Sequence, residues 1–230
     1  MRPALLIAGN FLREHRWAIL LLLAFAGVSG IAAAIFSRSN IDDALFFLKQ
    51  QAGYSVFFTL FLAASALHNQ RRSRRILAVL SKGIERREYL AGIAIGYAMV
   101  SGLYSLILAA TGAWTFALAG VEPVAILPLM LVLFIASVLA GTVALFFSTF
   151  LSPLFTLVGT SLVIGATAII PNSPWFVPVY PLLHAVVDFS IGQLPPSPWT
   201  AVGYACVETV LFWLAASVIF GIRDVAVAVE

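Results

Sequence analysis

Glu208 is the strongest candidate for a functional residue in this 230-residue sequence, because this ionisable side chain lies well inside a long apolar segment. Ionisable residues are costly inside a membrane, and where they occur they usually face a cavity, an ion path or a partner. Two interpretations stay open. Glu208 either lines a substrate or ion cavity, or it is a carboxyl group that is protonated or hydrogen-bonded to a neighbour near the outer end of its helix.

His184 and Asp188 form a second candidate site, because residues four apart share one face of a helix. The two side chains could make an ion pair or supply two ligands to a metal ion. Two ligands do not make a metal site, and a polar helix face turned towards water explains the pair more simply. We keep both residues as possible gate residues and expect no metal ion and no cofactor in this chain.

Sequence motifs of catalysis are missing. The sequence has no Gly-x-Ser-x-Gly motif, no His-Glu-x-x-His motif and no paired aspartates within its apolar segments. Its one cysteine, Cys206, excludes an intrachain disulfide and a thiolate-rich metal site. We therefore expect no enzymatic activity, and an intramembrane protease or lipid-modifying transferase is a hypothesis without support in the residues.

The composition predicts an all-α membrane protein. Hydrophobic residues make up 62% of the chain and charged residues only 10%, whereas soluble domains are about 25% charged. The apolar runs reach the roughly 20 residues that a helix needs to cross a bilayer, and they lack the period-two alternation of strands. No repeat or linker divides residues 1–230, so we predict one domain with six spans, over about 17–36, 51–68, 89–119, 125–149, 153–171 and 200–221.

Lysine and arginine are unevenly distributed between the two sides of this topology. Eleven lie at the N-terminus, in the second loop or in the tail, and two lie on the other side. By the positive-inside rule, both termini and the second loop are cytoplasmic, and we expect a multi-pass protein of the cell (inner) membrane. Nucleic-acid binding is not implied. The eleven basic residues on the predicted cytoplasmic side are Arg2, Arg13, Arg16, Arg71, Arg72, Arg74, Arg75, Lys82, Arg86, Arg87 and Arg223, and the two on the other side are Arg38 and Lys49.

The N-terminal residues 2–16 have the spacing of a helix that lies in the membrane interface. Leu5, Ala8, Gly9 and Leu12 would share its apolar face. A charged flank that anchors the first span is a compatible interpretation. A cleaved signal peptide that ends in the alanines at 32–34 is a rival interpretation, but the apolar run is long for a signal peptide.

The predicted cytoplasmic loop, residues 69–88, contains seven basic residues and the mainly apolar run 76–80. Arginines that bind lipid phosphates explain the charge. They do not explain an apolar run outside the bilayer. A short helix over 76–80 that ends at Gly83 would present an exposed apolar surface flanked by charged residues, which suits docking on a cytoplasmic partner.

The loop and the start of the next predicted span contain, in this order, Leu77, Leu80, Ser81, Gly83, Ile84, Arg86, Glu88, Tyr89, Leu90 and Gly92. This order resembles the corresponding segment of the permease subunits of type 2 ATP-binding-cassette (ABC) exporters. Departures from the family pattern are Gly83 where proline is usual, Glu85 where serine is usual, and arginines where an acidic residue is common. The turn Phe146–Pro153 and the terminal Phe220–Asp224 also resemble that family.

The resemblance implies that the loop contains a coupling helix that seats in cytoplasmic ABC ATPase subunits. The sequence has no Gly-x-x-x-x-Gly-Lys-Ser/Thr loop, so ATP and Mg would bind to those separate subunits. A second permease copy, or a related permease, and membrane lipid would be the other partners. The implied coupling residues are Ile76, Leu77, Leu80, Ser81, Gly83, Arg86 and Glu88.

The proline-rich extracytoplasmic stretch at 172–199 encloses helical apolar spacing at 182–192, with Pro181 in its first turn and Gly192 at its end. We predict a re-entrant helix there, and the resemblance implies an outer gate. The functional hypothesis is a permease subunit of an exporter for a hydrophobic or amphipathic substrate. The alternative is a secondary transporter or channel that uses Glu208 as an ion or proton site.

Overall fold

The structure is a computed structural model that describes residues 2–36, 41–72, 84–118, 120, 122–169, 176–187 and 198–222. These residues form helices, with turns between them and no strand, so the predicted all-α class is confirmed for the described part of the chain. The helices are α1 (Arg2–Glu14), α2 (Arg16–Phe36), α3 (Ile41–Arg72), α4 (Arg86–Leu118), a 3-10 turn (Pro123–Ala125), α5 (Ile126–Ser148), α6 (Pro153–Ile169), α7 (Val179–Val187) and α8 (Trp199–Ile222).

Four segments are long and apolar enough to cross a membrane: Arg16–Ile35, Arg86–Leu118, Pro123–Ser148 and Trp199–Ile222. The described part of α6 is apolar and spans 17 residues, and α3 is long but less apolar, with buried polar side chains along it. Length and composition therefore support a membrane protein, while the count of six spans stays a prediction.

The α5 helix is the centre of the bundle. It packs against α3, α4, α6, α7 and α8, and Leu133, Ala136, Leu139 and Ala140 on it are fully buried. The α2, α6 and α8 helices are peripheral and turn large apolar side chains outward, such as Leu21 on α2 and Leu162 on α6. Outward apolar faces of this kind are those that lipid can solvate.

The predicted break over 37–50 is wrong from residue 41 onward, because α3 already begins at Ile41. Leu45, Leu48 and Ala52 are buried at helical spacing on one face. The prediction relied on unbroken apolar runs, and an amphipathic helix needs only one apolar face. At its other end, α3 reaches Arg72, so the predicted loop is also shorter than 69–88.

Candidate functional site

The proposed coupling segment lies largely outside the described residues. The residues outside the described ranges include Ile76, Leu77, Leu80, Ser81 and Gly83, and the short helix predicted around them lies there too. The other two coupling residues, Arg86 and Glu88, lie in the first turn of α4.

Arg86 joins the beginning of α4 to the end of α8. Its guanidinium Nη1 donates hydrogen bonds to the backbone carbonyl oxygens of Phe220, at 3.0 Å, and Gly221, at 2.9 Å. The last carbonyls of a helix have no partner within the helix and carry partial negative charge, so a cation there is favourable. Arg86 therefore caps the C-terminus of a helix that begins about 110 residues later in the chain.

An aromatic contact supports the same joint one helical turn along α4. The rings of Tyr89 and Phe220 stack with their centroids 6.3 Å apart and an angle of 20° between their planes. Both side chains are almost fully buried. Burial of two large rings stabilises the joint beyond the two hydrogen bonds.

The α1 helix packs closely on the same part of α4, where two glycines leave room for it. A Cβ atom at Gly92 would lie 2.5 Å from Ile7 Cβ, and one at Gly96 would lie 2.6 Å from the Phe11 ring. A side chain at Gly92 would have to displace α1, because the backbone oxygen of Ala4 would also lie 2.8 Å away, and one at Gly96 would have to shift the Phe11 side chain. The small-xxx-small spacing of these glycines therefore allows α1 to pack closely on α4, one of the helices that are long and apolar enough to cross a membrane.

One face of α1 packs against α4, and Ala4, Ile7, Ala8 and Phe11 on it are buried. Of the predicted apolar face, Ala8 lies on this side, whereas Leu5 is 59% exposed. The position of that face in the membrane interface stays a prediction. We call the contacts of Arg86, Tyr89, Gly92 and Gly96 with α1 and the end of α8 the α4 junction.

Glu208 lies in α8 about nine residues from its beginning, which is about 14 Å of helix. Its side chain is only 9% exposed. The carboxylate oxygen Oε2 accepts a hydrogen bond from the backbone N–H of Val177 at 2.7 Å. Of the two interpretations from the sequence, this contact favours a carboxyl group that is hydrogen-bonded to a neighbour.

Val177 has an unusual backbone conformation. Its φ angle is +44°, a left-handed conformation that costs a non-glycine residue about 1–2 kcal/mol and is rare for β-branched side chains. Its carbonyl oxygen accepts a hydrogen bond from Val179 N at 2.7 Å, and Pro178 O accepts one from Leu182 N at 3.1 Å. The strained residue therefore forms the turn that leads into α7.

The α7 helix begins two to three residues earlier than predicted, with Pro181 still in its first turn. His184 is exposed beside Tyr180, with 5.5 Å between the ring centroids. Asp188 lies outside the described residues. Within the described ranges, no three His, Cys, Asp or Glu side chains lie together in a way that could hold a metal ion.

Buried polar side chains connect α3, α4 and α5 between the two ends of the bundle. The Tyr104 hydroxyl bonds to the side-chain oxygen of Gln51. Ser55 and Ser137 share a hydrogen bond of 3.1 Å. Such pairs join helices within a membrane, where unsatisfied polar groups are costly.

An apolar groove of about 250 Å³ opens between α4, α5 and α8. The hydroxyl groups in its wall already have partners: Tyr97 bonds to Thr142 at 2.7 Å, Thr142 donates to Val138 O at 2.8 Å, and Thr209 donates to Ala205 O at 2.7 Å. The groove therefore suits an apolar group. Its remaining lining residues are Ala94, Ile95, Ala98, Val210 and Trp213.

Sequence reasoning singled out Arg86 and Glu208 but missed both of their partners. The carbonyls of Phe220 and Gly221 and the N–H of Val177 are backbone groups, which carry no signal in residue type. The conformation of Val177 was also missed, since valine is an unfavourable residue for a left-handed turn.

Fold and site together define a helical protein with four described segments long and apolar enough to cross a membrane, and with one helix, α8, that is bound to two distant parts of the chain. The sequence matches no protein-family model and no curated protein.

Proposed function

We propose that this chain is the transmembrane permease subunit of an ATP-driven exporter that moves a hydrophobic or amphipathic substrate across or out of the cell membrane. A separate ATPase subunit supplies the energy, and ATP and Mg bind to that subunit. The chain itself performs no chemistry on the substrate.

The α4 junction is the observation that carries this proposal. The basic loop with its apolar run at 76–80 leads directly into α4, and the first turns of α4 bind both α1 and the end of α8. A force on the loop would therefore move the first and the last helices of the bundle together. A permease driven by an external ATPase needs a joint of this kind between the surface that receives the force and the helices that move.

The finer topology belongs to the proposal as well. Six spans, an interfacial α1 and a re-entrant segment at 172–199 would leave both termini and the loop at 69–88 in the cytoplasm, since eleven of the thirteen basic residues then lie on that side. The permease acts as a dimer with a second copy or with a related permease, in the cell (inner) membrane.

The apolar groove supports an apolar or amphipathic substrate, because its wall holds no charged side chain and its hydroxyl groups are already hydrogen-bonded. The alternative of a secondary transporter that uses Glu208 as an ion site has less support. One oxygen of that carboxyl group accepts a hydrogen bond from the backbone, and a mobile ion would have to compete with this bond.

Co-purification with ATPase subunits tests the proposal. The chain, expressed with an ATPase subunit encoded beside its gene, should purify as a stable complex. The triple variant Ile76→Asp, Leu77→Asp, Leu80→Asp should no longer bind the ATPase, because three negative charges would replace the apolar side chains of the docking surface.

Val124→Asp is the matched control. Val124 is an apolar residue with 60% exposure in the 3-10 turn, at the end of the bundle opposite to the α4 junction, so this variant should keep the ATPase. Transport by the purified chain in proteoliposomes without any ATPase would contradict the proposal, as would a triple variant that keeps its ATPase.

A further inference from the structure

The turn that leads into α7 combines a buried carboxyl group, a strained backbone and a short helix. We propose that Glu208 is a latch: its hydrogen bond to Val177 N–H holds α7 against the bundle, and rupture of this bond releases α7. The inference concerns the docking of α7 alone, and it holds or fails independently of the exporter proposal.

The first step of the argument is the distance between the two partners along the chain. Glu208 lies in the middle of α8, and Val177 lies 31 residues earlier, before α7 begins. The bond therefore ties the start of one element to the interior of another. A carboxylate is also favourable near the N-terminus of a helix, where the peptide dipoles leave partial positive charge.

The second step is the strain at Val177. In the docked turn, valine adopts a φ angle of +44°, although an extended or right-handed conformation is more favourable for this residue. The surrounding contacts must hold the turn in this state. Without the bond to Glu208, the buried N–H would lose its partner, and relaxation of Val177 would turn the N–H away from α8.

The third step is the weakness of α7 by itself. The described part of α7 spans nine residues, and most of the stability of such a helix in a protein comes from packing of its apolar face rather than from the helix itself. Its buried side chains, Val179, Leu182 and Val186, lie on one face, which packs on α3, α5, α6 and α8, while Tyr180 and His184 face outward. A short helix that is held by one apolar stripe and one anchored turn can dock or leave as a unit.

Cysteine accessibility measures the docking of α7 directly. In a Cys206→Ala background, Val186→Cys places a thiol on the buried face of α7, where the native side chain is 5% exposed. Ala33→Cys gives a reference thiol at a position of 1% exposure in α2, which does not pack on α7. The measurement is the labelling rate of each thiol by N-ethylmaleimide in the membrane-embedded protein.

Two substitutions of Glu208 separate hydrogen bonding from charge. Glu208→Met keeps the length but offers no comparable acceptor, so we expect labelling of Val186→Cys to become about 10- to 100-fold faster. Glu208→Gln keeps a carbonyl oxygen and should stay within a few fold of the native rate. An unchanged rate in Glu208→Met would overturn the proposal, and so would equal acceleration in Glu208→Gln.

A matched pair at Val177 tests the strain with Glu208 intact. Val177→Gly and Val177→Ala both lose the two γ-methyl groups of the buried valine, and glycine loses the Cβ atom as well. Only glycine adopts the left-handed conformation at no steric cost, so strain and lost packing act in opposite directions in this pair. We expect the alanine variant to be labelled about five- to tenfold faster than the glycine variant. Equal rates would overturn the proposal. This pair also decides the matter if Glu208→Met loosens the whole bundle and accelerates labelling of Ala33→Cys.

Discussion

Two contacts of α8 can be compared, because in each an ionisable side chain binds the backbone of a distant element. At its C-terminus, α8 offers carbonyl oxygens to Arg86 of α4. In its interior, α8 supplies Glu208 to the N–H of Val177. The first contact follows the general preference for a cation at a helix C-terminus. The second maintains a left-handed valine that would otherwise relax.

The difference concerns how easily each contact breaks. The α4 junction adds a ring stack and the close packing of α1 to its hydrogen bonds, so several interactions would have to fail together. The turn at Val177 is hydrogen-bonded to α8 through one carboxyl oxygen, beside the apolar packing of α7, and it opposes its own backbone preference. We infer that α8 moves with α4 and α1 as one body, whereas α7 is able to separate from α8.

The largest expected effect comes from filling the space that α1 needs. Gly92→Val would place atoms where Ile7 lies and should lower the free energy of unfolding by about 3 kcal/mol, since α1 would have to move. Thermal unfolding in detergent measures the change. Gly102→Ala is the control, because its Cβ atom would meet the Phe134 ring at an ordinary 3.5 Å. A native melting temperature for Gly92→Val would contradict the close packing of α1.

Arg86→Gln tests the junction at the end of α8. We expect a loss of about 2 kcal/mol in the free energy that holds the last turn of α8, because two charge-assisted hydrogen bonds become weaker or disappear. Hydrogen exchange in that turn should accelerate by about tenfold or more.

Arg87→Gln is the control for this variant, since Arg87 is exposed beside Arg86. Labelling of Val186→Cys should stay native in Arg86→Gln, because the two contacts of α8 are separate. Release of α7 by Arg86→Gln would contradict that separation.

The smallest expected effect concerns the buried hydrogen bonds that join α3 to α4 and α5. Tyr104→Phe removes a buried hydrogen bond to Gln51 and should cost about 1 kcal/mol. Ser101→Ala should change the stability little, because the buried Ser101 hydroxyl has no hydrogen-bond partner among the described residues. The unfolding midpoints of the two variants are compared. A larger loss of stability for Ser101→Ala than for Tyr104→Phe would contradict the hydrogen bond between Tyr104 and Gln51.

Much of the helical arrangement could be predicted from local composition. Apolar run length predicted α2, α4, α5 and α8 to within a few residues, because a long apolar run has few alternatives to a helix in a membrane. The start of α3 was missed, since an amphipathic segment with Lys49 and Gln50 does not resemble an apolar run.

The site was less predictable than the fold. Arg86 and Glu208 stood out by charge, but their roles depend on backbone atoms 134 and 31 residues away. The glycines at 92 and 96 suggested close packing, yet their spacing alone does not identify α1 as the helix that uses it. Long-range pairing of this kind depends on the tertiary arrangement, which residue types do not encode locally.

Photo-cross-linking in intact cells tests the central claim, that a separate ATPase docks on the loop before α4. A photoreactive amino acid would replace Leu77 in the loop, or Tyr180 on the outward face of α7. The account predicts that Leu77 yields an adduct whose peptides identify an ATPase subunit, and that Tyr180 yields none. An ATPase adduct from Tyr180, or no ATPase adduct from Leu77, would contradict it.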